Sequence, residues 1–281
     1  MNKRIGNYFS LREKLVSLIY VFLIFIRNTF IKKKRFIPLS ISFFKKQIIF
    51  DKLNNEFLVI NIRDYIDLTM IYQIFYNEDY DIKKFKRHKE IYEFYSNCIN
   101  VNNKTPLIVD CGGNIGLAAK YFSKTFSKSK IICIEPNEDN IELAKKNNKT
   151  SLNVDFLKAA VGSVNGEGKI DDFSVPNSMF QITIQKQNKG DFPIFSINSI
   201  LEKYRQFIPF IVKIDIEGFE SELFSKNTEW IDIFPLVIIE LHDWMIPKTA
   251  NSHNFLREIS KLDRDFLYFN ENIFSIKKNI N

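Results

Sequence analysis

Residues 106–147 confine the fold most, because they read as strand, glycine-rich turn, helix, strand and helix in quick succession. An apolar strand over 107–109 ends on Asp110, and the turn Cys111-Gly112-Gly113-Asn114-Ile115-Gly116 follows. Leu117, Ala118, Phe122 and Phe126 then recur at helical spacing. A second apolar strand over 130–134 stops on Glu135-Pro136, and Asn137 leads into a helix over 139–147. Such a β–loop–α–β unit sets backbone N–H groups and a helix N-terminus against a ligand bearing an anionic group.

Two ligand classes use this unit. In the dinucleotide fingerprint Gly-x-Gly-x-x-Gly, Cys111 falls on the first glycine, where a tight turn is needed. The alternative is acid-x-Gly-x-Gly-x-Gly, the form found in class I S-adenosylmethionine-dependent methyltransferases. It places Asp110, Gly112, Asn114 and Gly116 on the fixed positions. Asparagine tolerates a left-handed backbone better than other side-chain-bearing residues. Glu135 lies 25 residues after Asp110, where an acid accepts ribose hydroxyls; both ligand classes carry a ribose.

Four apolar strands finish on ionisable groups. Besides Asp110 and Glu135, the strand 210–214 ends on Asp215, with Glu217 and Gly218 after it. The strand 236–239 ends on Glu240, followed by His242-Asp243-Trp244. Ligands of an open α/β sheet bind outside the carboxyl ends of its strands, so these groups converge on one cleft. A third strand, 154–161, exits through Lys158-Ala159-Ala160-Val161-Gly162, where small residues let a flat ring approach. Residues 166–195 read as a polar, antiparallel flap, Asn198 as the cap of a helix over 199–204, and 266–269 with 273–276 as a terminal hairpin.

Charge is divided unevenly. Residues 1–46 hold eleven Lys or Arg and one acid, a charge of +10, which leaves −3 on the remainder of a chain whose total is +7. A nucleic-acid-binding body is disfavoured, since its basic footprint belongs on the folded domain. The division predicts an arm over 1–46 and a catalytic domain over 47–281. Within the arm, 15–26 is apolar except for Ser17, and Lys32-Lys33-Lys34-Arg35 follows. Twelve helical residues span about 18 Å, short of a bilayer's hydrocarbon core of about 30 Å. Two readings fit: a helix dipping into an anionic membrane face, or a helix packed on protein. Cys98, Cys111 and Cys133 form no C-x-x-C pair and suggest a reducing compartment without disulfide or zinc. The expected location is cytoplasmic, at most peripheral to the inner face of a membrane.

The segments VDCGGNIG (109–116), IEP (134–136), VKIDIEGFE (212–220) and IIELHDW (238–244), in this order and spacing, resemble the FkbM-type methyltransferases. The matching core runs over 106–244; Cys111, Asn114 and the basic arm depart from the pattern. The resemblance implies a class I, Rossmann-like α/β sandwich of three layers. Its mostly parallel seven-stranded sheet would close with a C-terminal antiparallel hairpin. It implies S-adenosylmethionine as donor and O-methylation, often of a sugar hydroxyl. Asp110, Gly112, Gly113, Asn114, Gly116, Glu135 and Asn137 would hold the cofactor, with Ala160 and Val161 beside its adenine. Asp215, Glu217, Glu240 and His242 would face the reacting centre. His242 has a suitable ordinary pKa for a general base, and Asp215 or Glu217 is the alternative. A second option has Asp215, Glu217 and Glu240 holding a Mg2+-type cation. Two rivals remain at this level: a non-catalytic module that keeps the fold, and a nicotinamide-dependent oxidoreductase.

Overall fold

The computed structural model describes residues 34–39, 45–170, 182–185 and 190–280, with 19, 22, 23 and 26. Two compact units emerge, Met1–Tyr80 and Asp81–Asn281.

In the first unit β1 (Phe36–Pro38), β2 (Lys46–Asp51) and β3 (Glu56–Asn61) form an antiparallel sheet. A hairpin at Asn54-Asn55 joins β2 to β3, with Asn55 left-handed at φ 51°. Alternation decides which face is buried: Gln47, Ile49, Asp51, Leu58 and Ile60 point inward, while Ile48, Phe57 and Val59 are exposed. Buried Asp51 is paired with the Arg35 guanidinium at 2.9 and 2.8 Å. Helix α1 (Tyr65–Ile71) starts where Asp64 accepts from the Ile66 and Asp67 N–H groups. Of the apolar run 15–26, positions 19, 22, 23 and 26 are helical and exposed. The rest of that run, and the basic cluster up to Lys33, lie outside the described residues. Among the described residues no helix is long and apolar enough to cross a membrane.

The second unit opens with α2 (His88–Asn100) and proceeds through β4 (Pro106–Cys111), α3 (Leu117–Thr125), β5 (Lys130–Glu135), α4 (Glu138–Asn147) and β6 (Val154–Lys158). It continues with β7 (Ala160–Gly162), β8 (Gly166–Ile170), β9 (Ile182–Gln185), β10 (Phe192–Ser196) and α5 (Ile197–Lys203). Then come β11 (Ile208–Ile214), α6 (Glu220–Leu223), β12 (Leu236–Glu240), α7 (His253–Ile259), β13 (Arg264–Phe269) and β14 (Asn272–Lys277). Helix α5 is capped by Ser196, whose Oγ accepts from the Ser199 N–H at 3.1 Å, rather than by Asn198. Strand β10 runs up to Ser196, so the chain leaves extended geometry there and Asn198 is already helical.

The central sheet has seven strands in the order β13-β14-β12-β11-β4-β5-β6. β6, β5, β4, β11 and β12 are mutually parallel, and β14 inserts antiparallel beside β12 with β13 antiparallel to it. This is the expected mostly parallel class I sheet closed by a C-terminal hairpin. Strands covered on both faces need unbroken apolar runs, which is what 107–109, 131–134 and 236–239 supply. On one face Val109, Ile132, Val212 and Val237 pack with Ile200 of α5, Leu223 of α6 and Phe255 of α7. On the other, Phe210 of β11 meets Tyr95 of α2 and Phe126 at the end of α3, with ring centroids 5.6 and 5.0 Å apart. Three layers result. The flap expected over 166–195 includes β8, β9 and β10, with β7 parallel to β10; residues 171–181 and 186–189 lie outside the described residues.

Chain order steps from β4 to β5 and β6 on one side, then returns to β11 and β12 on the other. The crevice at this reversal lies beyond the carboxyl ends of β4 and β11, the usual ligand position in such sheets.

Candidate active site

The loop after β4 is shaped by three left-handed residues at alternate positions, Gly112 (φ 75°), Asn114 (φ 44°) and Gly116 (φ 77°). The N–H groups of Gly112 and Gly113 donate to the Ile134 carbonyl at 3.0 and 2.9 Å, which ties the loop to β5. A Cβ on Gly112 would overlap the Asp215 carbonyl oxygen, and one on Gly113 would overlap Cys133 Sγ. Both glycines therefore serve close packing of the loop against the neighbouring strands. Gly116 precedes α3 and makes no side-chain cap hydrogen bond, while the Ala119 N–H in the first turn lies against the Asp110 carboxyl.

Glu135, at the end of β5, is almost fully buried. Its Oε2 accepts from the Asn114 N–H at 2.9 Å, and its Oε1 from the Asn137 N–H at 3.0 Å and Asn140 Nδ2 at 3.1 Å. Burial raises its pKa, and these three donors pull it back. A carboxylate offers about four acceptor positions, so about one remains on Oε2. Asn137 also caps α4, accepting from the Asn140 N–H at 3.0 Å. The chain leaves β6 by an Ala159 N–H bond to the Glu135 carbonyl at 3.2 Å, and Ala160 and Val161 follow, both buried. The predicted cofactor residues thus gather at the ends of β4 and β5 and the start of β7.

The second cluster forms at the ends of β11 and β12. The Asp215 N–H donates to the Cys111 carbonyl at 3.1 Å, so this acid abuts the glycine loop. Glu217 is left-handed at φ 52° and Gly218 at φ 94°, which turns the chain into α6. His242 is 2% exposed. Its Nε2 faces Asp215 Oδ1 at 3.5 Å, Glu240 Oε1 at 3.6 Å and Glu217 Oε2 at 4.0 Å. All four residues predicted to face the reacting centre are therefore together. Burial raises both Glu217 and Glu240 to about 8, with the Asp215 charge adding to it. For His242 burial acts downward, but the Glu220 hydrogen bond and the Asp215 charge outweigh it and lift the imidazole to about 9. Without a further cation it carries a proton at neutral pH, so the ordinary pKa expected of a general base is not the one this site provides.

Two residues in the same cluster had no role assigned from the sequence. Glu220, fully buried, holds His242 Nδ1 at 2.7 Å and accepts from the Asn251 side-chain amide. Lys213, also buried, lies 3.1 Å from Asp110 Oδ1 and 3.4 Å from Asp215 Oδ2, and donates to the Gly112 carbonyl at 2.7 Å. One ammonium therefore links the glycine loop to the acid cluster. The visible signal was a lone lysine inside the apolar run 210–214, which burial permits only beside an anion. Cys98, Cys111 and Cys133 are buried free thiols; burial pushes all three pKa values up and leaves them unreactive.

A profile of the methyltransferase FkbM domain matches residues 110–268, more than half of the chain. The chain belongs to the FkbM methyltransferase family. It is 26% identical over 163 residues to the hexuronic acid methyltransferase AglP of Haloferax volcanii, a match covering 56% of this chain. The same match spans 66% of that relative, just under two thirds of its length. Among solved structures, the METTL16 methyltransferase domain superposes with a TM-score of 0.39 at 11% identity, covering 69% of this chain and 68% of that one. TrmK of M. capricolum, in complex with S-adenosyl-homocysteine, gives a TM-score of 0.32 at 15% identity, covering 68% of each chain. These two likenesses are too remote to bear on function.

Proposed function

We propose that this FkbM-family chain transfers a methyl group from S-adenosylmethionine to a hydroxyl of a sugar or glycan. The observation that carries the reading is the contiguity of two sites. The glycine loop and the acid–histidine cluster share the crevice and are joined through Lys213 and the Asp215–Cys111 bond. The residues present fit the donor: an alternating left-handed loop and a carboxylate with an acceptor position left for a ribose hydroxyl. In this reading Asp110, Gly112, Gly113, Asn114, Gly116, Glu135 and Asn137 hold it, with Ala160 and Val161 beside the adenine. When bound, the donor supplies a methyl already activated on a sulfonium, so the chain's work is alignment and proton removal.

On the acceptor side a sugar hydroxyl is a weak nucleophile. As its oxygen bonds to the methyl carbon and the carbon–sulfur bond breaks, the proton must leave. Glu217, the most exposed of the three carboxylates around His242 Nε2, receives it in this scheme once ionised, which its pKa of about 8 places at mildly alkaline pH. Asp215, Glu240 and His242 orient the hydroxyl. The relative named for a hexuronic acid supports a sugar acceptor. So does Trp244, whose exposed ring lies 6.3 Å from that of His242 and offers an apolar plate for the C–H face of a pyranose.

Calorimetric titration of the full chain with S-adenosylhomocysteine tests the donor half. Binding weakened at least tenfold by Glu135→Gln is expected, and a folded chain that binds neither this product nor methylates any sugar would sink the reading. For the acceptor half, Trp244→Ala should raise the KM for the sugar about tenfold with kcat nearly unchanged, a loss of about 1.4 kcal/mol of uniform binding. An unchanged KM removes the stacking plate.

A further inference from the structure

We propose that Asp215, Glu240 and His242 form a site for a divalent first-row cation of mixed oxygen and nitrogen preference, such as Mn2+. The cation's free positions face the acceptor sugar's oxygens. The second half of this inference rests on the methyltransferase reading; the cation site itself does not.

Three independent features point to it. The first is spacing. One ligand atom from each residue lies within 4.8 Å of the others, and His242 Nε2 is 3.5 and 3.6 Å from the two carboxylate oxygens. Those separations exceed an ordinary N–H···O hydrogen bond of about 2.7–3.2 Å. They approach the roughly 3.0–3.4 Å that separates two ligands held about 2.1 Å from one metal ion. Glu217, at 4.0 Å, stands outside this tight group and stays available for the proton. The cation site is thus not the all-oxygen Mg2+ set of Asp215, Glu217 and Glu240 that the sequence suggested.

The second feature is the imidazole. His242 is 98% buried, its Nε2 is aimed into the cluster, and that nitrogen makes no hydrogen bond among the described residues. Its other nitrogen is fixed by Glu220 at 2.7 Å. Glu220 is itself held by the Asn251 amide, whose Oδ1 accepts from the Ser221 N–H at 3.1 Å. A buried carboxylate that fixes the ring and leaves Nε2 directed at carboxylates is the arrangement that orients a metal-ligating histidine.

The third feature is charge. Among the described residues, Asp110, Asp215, Glu217, Glu220 and Glu240 crowd around Lys213 and His242. With all five ionised their charge would exceed that of the two cations, and a divalent ion would offset it. Two oxygens and one imidazole nitrogen favour Mn2+ or Zn2+ over Mg2+ or Ca2+, which prefer oxygen alone. Asp215 and Glu240 are partly exposed, so the remaining coordination positions open to the crevice, where two neighbouring sugar oxygens chelate. A cation here also lets a uronate approach a site that its carboxylates would otherwise repel.

Mn2+ titration of the metal-stripped full chain, followed by electron paramagnetic resonance and calorimetry without donor or acceptor, tests the site. One bound ion per chain is expected. Binding should weaken at least tenfold in His242→Gln and in Glu240→Gln, and 10–100-fold in Glu220→Gln, which alters only the residue that fixes the ring. Circular dichroism confirms that each variant is folded. No binding of Mn2+ or Zn2+ by the folded chain overturns the proposal, as does binding that Glu240→Gln and Glu220→Gln leave unchanged. A parallel S-adenosylhomocysteine titration separates the two failures. Product binding without a metal leaves the methyltransferase reading standing alone, and metal binding without product leaves the cation site standing alone.

Discussion

Lys213→Met is expected to destabilise the chain by about 3–5 kcal/mol, the usual cost of removing one partner from a buried ion pair. The side chains match in length and apolar stem, so packing changes little. What changes is charge: Asp110, fully buried, loses the ammonium 3.1 Å away, and the Gly112 carbonyl loses its donor. Burial already holds the Asp110 carboxyl above its ordinary pKa, with Lys213 opposing that shift. Without the lysine the shift grows. A carboxyl whose folded pKa exceeds its unfolded one binds more protons when folded, so stability falls as pH rises from the unfolded value through the folded one. The deficit of the variant should therefore be smaller at pH 5.5 than at pH 8.5 in urea unfolding. Asp110→Asn in the same chain should recover most of it, because an amide needs no counter-ion. A deficit below about 1 kcal/mol at both pH values would mean that the Lys213–Asp110 pair does not carry a charge interaction.

That pair also shows where the sequence stops being legible. Strand runs, the glycine loop, the terminal hairpin and the acids at strand ends all follow from local pattern, and the structure sets Asp215, Glu217 and Glu240 within 4.0 Å of His242 Nε2. Partnership between strands does not follow from local pattern. Lys213 lies directly across from Asp110 because β11 and β4 pair in that register, with a shift between Pro209 and Ile211. No spacing along the chain encodes the register. Glu220 was hidden for a different reason: an acid in the first turn of a helix is ordinary on electrostatic grounds, and only its burial marks it. The parallel pairing of β7 with β10 joins segments some 30 residues apart and escaped the reading of 166–195 as a simple antiparallel flap.

Glu217→Gln should lower kcat by about 10²–10⁴-fold, the range for loss of a positioned general base, while S-adenosylhomocysteine affinity stays within about threefold. Glutamine keeps the shape and the turn but cannot take a proton. Catalysis of the same order in Glu217→Gln as in the parent would move the proton acceptor to Asp215 or Glu240. The backbone supplies a sharper test. Glu217 is left-handed at φ 52°, a conformation costing a side-chain-bearing residue about 1–2 kcal/mol, and glycine meets no such cost. If the carboxylate is held there only to make the turn, Glu217→Gly should stabilise the chain and leave turnover intact. If it is held there for proton transfer, Glu217→Gly should raise the unfolding midpoint while abolishing most of kcat. Strain retained at a residue whose removal stabilises the fold but stops turnover is strain selected for chemistry, and the residue that bears it at this turn is Glu217.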